Sequence, residues 1–352
     1  MAYTTINKST DYFNTKLYTG TGTSGSPFSL TGVGFAPDWT WIKRRDGASI
    51  GHRLFDRVRG ATKYIDSSAS SAETTNTSTL TAFGSDGFTL QNEGSVNDGS
   101  ALFTSWNWKA NGQGSANTDG SINTTYTSVS TTAGFSISQY TGNTTNGATV
   151  GHGLGAVPEM LIGKDLSDSS GWGVWHKDLT NAGYRLNLST TDAQADDTAL
   201  FGGSSRTAPT SSVFTLGSGG GLNGSNANIM YAFTSIKGYS KINSYTGNGS
   251  TDGTFVYTGF KPAFVMVKES SSTGSWCIFD NKRLGYNPNN PRLYPNNAGA
   301  EDASETIFDI VSNGFKIRGD QSDTNASGQT YIYMCFAEAP LVGSNNVPCT
   351  AR

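Results

Sequence analysis

The sequence of 352 residues has few charged residues and no long hydrophobic run. Only 14% of its residues are charged, and the net charge of −3 is spread without long runs of one sign. The chain therefore lacks the basic surface that nucleic-acid binding requires. No apolar run approaches the roughly 18 to 20 residues of a membrane span, and the first residues do not resemble a signal peptide. We expect a soluble, unsecreted protein without membrane insertion.

Cysteine is also scarce, which excludes two further classes of protein. The three cysteines, Cys277, Cys335 and Cys349, are too few and too scattered for a disulfide framework or a zinc site. We expect reduced thiols, two in strands and one in the C-terminal tail.

Motifs for cofactors and common catalytic centres are missing as well. The chain has no phosphate loop, HExxH, EF-hand loop or G-x-S-x-G motif. The segments "GTGTSG" at 20–25 and "GGGLNG" at 219–224 match the dinucleotide glycine pattern, but neither precedes a credible helix and the required acidic residue. These segments predict turns, and we predict no cofactor.

Small polar residues and aromatics are what the sequence has in abundance. It contains 44 Gly, 18 Phe, 15 Tyr and 7 Trp, together with many Ser, Thr and Asn. Gly, Ser, Thr and Asn are weak helix formers and supply turns, whereas the aromatics can build cores that a disordered chain lacks. This composition favours an all-β fold with many turns.

One segment occurs three times at long spacing. The tyrosine of "YTG" recurs at Tyr18, Tyr140 and Tyr245, which are 122 and 105 residues apart. A proline before an apolar run and a lysine recurs with nearly the same spacing, in "GFAPDWTWIK" (34–43), "GLGAVPEMLIGK" (153–164) and "GFKPAFVMVK" (259–268). Two markers with the same period indicate three domain-sized copies.

The repeats and the short strand patterns predict three tandem β-sandwich or jelly-roll-like domains. We place a first sandwich with an N-terminal segment at residues 1–110 and a linker with short, locally paired strands at 111–138. The second sandwich is placed at 139–240, and the third, with a C-terminal tail, at 241–352. Around residues 307–311 the apolar spacing fits a short helical turn, which would not change the class.

The repeated segment itself predicts a central strand that begins near the proline and is covered on both faces, because residues on both sides are mostly apolar. The lysines Lys43, Lys164 and Lys268 end it. Asp56, His176 and Asp280 follow on the next strand. A hairpin with Lys164 opposite Trp172 places His176 opposite Met160, about 13 Å from the lysine. We therefore expect lysine stems beside Trp172 and Trp276, with a cation-π contribution of roughly 0.5 to 1 kcal/mol.

The remaining candidates for chemistry favour structural roles. His52, His152 and His176 are far apart in sequence, and strand-end or loop histidines are the preferred interpretation. The neighbouring acids Asp196 with Asp197, and Glu301 with Asp302, could bind calcium or act on a glycosidic bond. Adjacent side chains point to opposite sides of a strand, so solvated loops are favoured. We predict no catalytic residue, no metal ligand and no enzymatic activity.

One loop differs between the copies. The segment "YNPNNPRLYPNN" at 286–297 gives the third copy roughly five more residues than the second, and its three prolines stiffen a polar loop that bears two tyrosines. Tyr286, Arg292 and Tyr294 are the binding candidates; a merely decorative insertion is the alternative.

The repeated order of "YTG", the proline strand with its lysine, "WCIFD", "SNGF", "YIYMCFAEAP" and a terminal "TAR" resembles an uncharacterised domain family of marine tailed-bacteriophage structural proteins. The resemblance covers nearly the whole chain and implies location in the virion, with other virion proteins and further copies of the chain as partners. It implies a tail fibre or spike component whose loops bind a host receptor such as a glycan. The alternatives are a capsid decoration or head-fibre protein and, in another class, a glycan-hydrolysing spike.

Overall fold

The structure, a computed structural model, describes residues 3–22, 26–47, 49–343, 345 and 347. Strands account for 39% of the chain and helices for 4%, so the predicted all-β class is confirmed. None of the helices in the described ranges is long and apolar enough to cross a membrane.

The first third of the chain forms a four-stranded antiparallel main sheet and two small sheets. Its elements are a 3-10 turn (Ser9–Asp11), β1 (Phe13–Thr19), β2 (Phe28–Leu30), β3 (Trp39–Arg44), β4 (Arg53–Asp56), β5 (Lys63–Tyr64), β6 (Thr74–Thr75), β7 (Leu80–Phe83), β8 (Phe88–Leu90), the helical turn α1 (Gly94–Asn97) and β9 (Leu102–Trp108). The main sheet has the order β1-β9-β3-β4, and the small sheets are β2-β8-β7 and β5-β6.

The second third forms a five-stranded main sheet. Its elements are β10 (Thr124–Ser130), β11 (Phe135–Thr141), β12 (Thr149–Gly151), β13 (Met160–Asp165), β14 (Gly173–His176), β15 (Tyr184–Arg185), β16 (Ala195–Asp196), β17 (Val213–Thr215), α2 (Gly220–Asn223) and β18 (Ala227–Phe233). The order is β10-β11-β18-β13-β14, with the small pairs β12-β17 and β15-β16. In the segment expected to be a linker with local pairing, β10 pairs with β11, and β11 crosses the predicted boundary between residues 138 and 139.

The last third forms another four-stranded main sheet. Its elements are β19 (Ser240–Thr246), β20 (Phe255–Tyr257), β21 (Phe260–Glu269), β22 (Trp276–Asp280), β23 (Phe308–Val311), β24 (Gly314–Ile317), α3 (Ser322–Asn325) and β25 (Thr330–Pro340). The orders are β19-β25-β21-β22 and β20-β24-β23. The helical turn suggested around residues 307–311 is wrong. Phe308 and Ile310 alternate into the core as one face of a strand, and a tight turn pairs β23 with β24.

The repeated segment forms the predicted central strand in all three main sheets. β3, β13 and β21 each lie between two strands and are buried on both faces. The predicted register of the second hairpin is confirmed by Met160 opposite His176. Pro37 and Pro158 precede their strands, but Pro262 lies inside β21. There the register of β21 with β25 shifts, because a bulge does not need the ladder hydrogen bond that proline cannot donate.

One face of every main sheet packs into a single hydrophobic core. The indole of Trp39 lies 4.5 Å from the ring of Tyr231, and that of Trp108 lies 5.5 Å from Phe264, measured between centroids. Side chains of all three sheets meet there, including Trp39, Trp41, Trp106, Trp108, Met160, Ile162, Tyr231, Phe233, Phe264, Met266, Met334 and Phe336. The opposite faces pack against the small sheets in three separate cores. Each main sheet is therefore one layer of its own sandwich and one wall of the shared core.

The main sheets contact one another in a ring. In each contact, the hairpin of one sheet meets a loop from another third of the chain. Backbone bonds at these contacts, each 2.9 Å long, include Glu73 N to Leu166 O, Gln194 N to Ser270 O, Gly274 N to Thr191 O and Glu301 N to Arg45 O. The indoles of Trp172 and Trp276 add bonds to Asp66 O and Asn187 O. The second sheet thus joins the first, the third joins the second, and the first joins the third.

Candidate functional site

The three strand-end lysines are bonded inside the protein, and two of them, Lys43 and Lys268, reach a loop from another third of the chain. Their acceptors are backbone carbonyls: Arg44, Ile50 and Ala298 for Lys43, Asp165 and Asp168 for Lys164, and Thr191 and Glu269 for Lys268. Within the described ranges none of the three makes a cation-π contact, so that part of the expectation is wrong. Burial lowers the pKa of Lys43 and of Lys268 to about 8. The ammonium groups of the three lysines are therefore bonded to carbonyls within the protein.

The strand-end acids pair with an arginine rather than with a lysine. Asp280 Oδ2 accepts from Arg283 Nε at 2.7 Å and from Trp106 Nε1 at 3.0 Å, and both members of the ion pair are fully buried. Asp56 binds Arg59 in the same way and accepts from Tyr231 Oη at 2.7 Å. Each acid therefore links two main sheets. In both "FDRVR" and "FDNKR" the last arginine follows the aspartate by three residues. This spacing could have predicted the ion pairs, but the sequence prediction did not include them.

The histidines and the neighbouring acids are likewise engaged in internal contacts. His52 accepts from Trp41 Nε1 at 2.7 Å and lies 3.0 Å from Tyr294 O. His152 Nε2 lies 3.2 Å from Thr210 O. The acids each form an ion pair with arginine: Asp196 with Arg206, Asp197 with Arg185, Glu301 with Arg45 and Arg283, and Asp302 with Arg292. Across the part of the chain that the structure describes, no cluster of acids, histidines and cysteines could hold a metal ion.

The structure separates the three residues predicted for the third-copy loop. Arg292 and Tyr294 turn inward, where Arg292 donates to Asp302 Oδ2 at 2.7 Å and Tyr294 Oη does so at 3.0 Å. Burial alone would raise the pKa of Asp302, but hydrogen bonds from Ser304, Arg292 and Tyr294 hold it below its usual value. Tyr286 instead is 68% exposed, the most exposed large hydrophobic residue of the described chain.

Tyr286 lies at a polar cavity of about 290 Å³, which is our candidate site. Its wall comes from the end of the third hairpin, the additional loop, β23 and the end of β25. The lining residues are Lys261, Asn281, Lys282, Gly285, Tyr286, Asn287, Asn289, Ile310 and Glu338. Six of these nine residues lie at 281–289, after β22, and Lys261, Ile310 and Glu338 join them from β21, β23 and β25.

The buried aspartate at the end of β22 fixes one wall of the cavity. Asp280 Oδ1 accepts from the backbone N–H of Lys282 at 2.9 Å, which shapes the turn that carries Asn281 and Lys282. The carbonyl of Asp280 accepts from Asn289 Nδ2 at 2.8 Å. Asn287 binds both backbone groups of Ile310, as a neighbouring strand would. These bonds tie the loop beside Tyr286 to β22 and β23.

Two acceptors in this wall have no partner. Asn281 Oδ1 and Asn289 Oδ1 are buried without a hydrogen bond in the described part of the molecule. An unsatisfied buried polar atom is unfavourable by about 1 to 3 kcal/mol, so a donor from water or a ligand would be stabilising there. Lys261 Nζ and Glu338 Oε2 form an ion pair of 2.6 Å beside them. A hydroxyl-rich molecule is the kind of ligand that such a wall would suit, with an exposed aromatic ring available to pack on its apolar face.

The equivalent position in the first sheet is occupied differently. Arg57 stands where the third sheet has Asn281, and its guanidinium donates to Pro37 O at 2.8 Å and Gly84 O at 2.7 Å. In the second sheet this position is Lys177, 3.9 Å from Glu159. A carboxamide stands at this position only in the third sheet.

The remaining sequence candidates add no site. The second glycine-rich segment forms the single turn α2, which lines a separate cavity of about 300 Å³ with Trp172 and Arg185. Part of the first lies outside the described residues. Cys277 and Cys335 are free and buried in strands, as expected, and Cys349 lies outside the described residues.

These features define an all-β protein whose three main sheets share one core and whose third sheet carries a polar cavity. The chain belongs to the family described as a domain of unknown function, DUF7483, whose model matches residues 8–340. No curated protein and no solved structure matches it.

Proposed function

We propose that the chain is a non-enzymatic structural protein of a tailed-bacteriophage virion, most specifically a tail fibre or spike component. The support is the order of repeated motifs from "YTG" to "YIYMCFAEAP", which resembles such proteins across nearly the whole chain. The non-enzymatic part of the proposal is supported by the ion pairs that Asp196, Asp197, Glu301 and Asp302 each form with an arginine, because a glycosidase needs two carboxyl groups facing one substrate.

Within that role, we propose that the cavity beside Tyr286 binds a host-surface glycan. The observation that carries this proposal is the combination of a ring that is 68% exposed with two unpartnered carboxamide oxygens in the same cavity wall. Sugar hydroxyls can donate to such oxygens, while an aromatic face packs against the C–H groups of a sugar ring. Pockets with a few convergent polar groups and an aromatic wall are the usual form of small-ligand sites.

The test is binding of the purified chain to surface polysaccharide extracted from the host. We expect Tyr286→Ala to weaken binding about tenfold, on the order of the 1 to 2 kcal/mol that an aromatic contact residue contributes. Tyr286→Phe should bind nearly normally, since it keeps the ring. Tyr257→Ala is the matched control, because that side chain is 50% exposed outside this cavity. Unchanged binding by Tyr286→Ala, with unaltered melting, would contradict the proposal.

A capsid decoration protein is the second candidate. The shared core favours it, because three sheets closed around one core make a compact body rather than a fibre shaft. Cryo-electron microscopy of virions carrying a labelled chain distinguishes the two locations directly.

A further inference from the structure

The first strand of each main sheet presents an edge, and one of these edges is already paired. β1, β11 and β19 occupy equivalent positions, because each pairs on one side with the last strand of its sheet. On its other side β11 carries β10, with Ser128 opposite Ile137 and Tyr126 opposite Gln139. The chain itself therefore shows that this edge accepts an added antiparallel strand.

The corresponding edge of β1 has no added strand in the described molecule. Bonds from Lys109 N to Tyr12 O and from Gly20 N to Ala101 O place the even-numbered residues in the ladder with β9. The backbone groups of the odd-numbered residues Thr15, Leu17 and Thr19 therefore face outward. Leu17 and Thr19 are also exposed to solvent, so their N–H and C=O groups can be reached.

The third edge is partly occupied by its own chain. Along β19, the N–H of Ile242 donates to Ser235 Oγ at 3.0 Å, and the carbonyl of Thr246 accepts from Thr254 Oγ1 at 2.8 Å. β1 is consequently the edge with most backbone groups left to pair.

The surface beside β1 differs from its equivalents. Leu17 and Leu102 are 36% and 44% exposed, whereas the residues at the position of Leu17 in the other sheets are Gln139 and Ser244. A groove of about 320 Å³ runs along the edge, lined by Asn14, Thr15, Lys16 and Leu17 and by Lys282 of the third sheet. The edge thus combines apolar contact area with two basic side chains.

We propose that the β1 edge binds an extended segment of a different protein, which adds as an antiparallel strand and carries a carboxylate opposite Lys16. Strand addition supplies affinity through main-chain hydrogen bonds and specificity through the facing side chains. The charges argue against a second copy of β1, because that strand has a lysine and no acid, and like charges facing each other across strands are destabilising. The inference does not depend on the cavity at Tyr286.

The experiment uses labelled peptides with the sequence of residues 122–130, titrated into the full chain and followed by fluorescence anisotropy. In the register of β10 on β11, peptide position 127 faces the equivalent of Lys16. We expect a peptide with Thr127→Glu to bind several-fold more tightly than one with Thr127→Lys, and the protein variant Lys282→Glu to reduce this preference. Amide exchange at Leu17 and Thr19 should slow on binding.

Backbone methylation provides the matched control. An N-methyl group at peptide position 128, which points toward the protein, should weaken binding at least tenfold; one at position 127, which points away, should change it less than twofold. If no peptide binds, the two lysines protect the edge from pairing and the proposal is wrong. It is equally wrong if both methylated peptides bind alike, or if the chain forms a dimer that the peptide dissociates, which would make a second copy the occupant.

Discussion

The second main sheet meets the third without the buried ion pair that joins the other sheets. Asp56 with Arg59 and Asp280 with Arg283 are fully buried pairs, whereas the second hairpin has His176 and Leu179 at these positions. The residues on the facing strands differ in a corresponding way. Tyr231 and Trp106 donate to the two aspartates, and the residue at their position in the third sheet is Met334.

This comparison shows that the same contact between two sheets can be made by a buried ion pair or by uncharged side chains, provided that the facing residue changes too. A buried pair is not in itself a net stabilisation, but each partner depends strongly on the other. Burial lowers the pKa of His176 to about 3, so this side chain is neutral at the position where the other two hairpins have an ion pair. We therefore expect the two charged contacts to be intolerant of change and the third to be tolerant at neutral pH.

The largest expected effect is at the charged contacts. Asp280→Ala leaves the guanidinium of Arg283 buried without its main partner and should lower the free energy of unfolding by about 3 to 5 kcal/mol. Asp56→Ala should do the same. Urea denaturation of the purified variants measures this, and a loss below about 1 kcal/mol would show that the pair does not hold the sheets together.

Truncating side chains in the shared core should have the next largest effect on stability. Trp41 and Met266 are 0% and 1% exposed, and replacing either with alanine should lower the free energy of unfolding by about 2 to 5 kcal/mol. Tyr257→Ala, at an exposed position, should change it by less than about 0.5 kcal/mol. Losses under 0.5 kcal/mol at both core positions would overturn the central-strand assignment.

The neutral contact should be sensitive to acid. Because the pKa of His176 is about 3 in the folded state and near 6.5 when unfolded, only the unfolded chain gains this proton between those values. The stability that depends on neutral His176 is therefore fully present above pH 6.5, and it is lost progressively as the pH falls toward 3. By pH 5 the loss is about 2 kcal/mol. His176→Gln should show a correspondingly shallower decline in urea midpoint; parallel pH profiles would exclude His176 as the cause.

The smallest effect is expected when one type of contact is converted into the other. The triple variant Asp56→His, Arg59→Leu and Tyr231→Met gives the contact between the first and second sheets the residues His176, Leu179 and Met334 of the contact between the second and third. Both charges and the hydroxyl that donates to the aspartate are removed together. The free energy of unfolding should therefore fall by only about 1 kcal/mol, well below the effect of Asp56→Ala alone. Thermal melting of the two variants side by side decides this, and equal destabilisation would mean that the contacts are not interchangeable.

Sequence patterns predicted those parts of the structure that depend on local periodicity. The proline and lysine markers located three central strands, and alternation gave the register of Met160 opposite His176. The shared core could not be predicted, because an apolar face indicates that something covers it but not what. The segment at 307–311 was ambiguous, since four apolar residues in five fit either period.

The candidate site was predicted only in part. The additional prolines and tyrosines drew attention to the loop that borders the cavity, and Tyr286 lines it. Arg292 and Tyr294 were expected in the same role, yet their contacts with Asp302 are made inside the protein. Asn281 and Asn289 were missed although they lie within five residues of Tyr286, because nothing in the sequence marks their side-chain oxygens as unpaired, and Glu338 was missed because it reaches the cavity only through β25.

The shared core is the central claim, and differential scanning calorimetry tests it most directly. Since all three main sheets contribute to one core, we expect a single transition whose calorimetric and van't Hoff enthalpies agree. Asp280→Ala should move that entire transition to lower temperature. Separate transitions for the three sheets, with only one of them shifted by Asp280→Ala, would contradict the account.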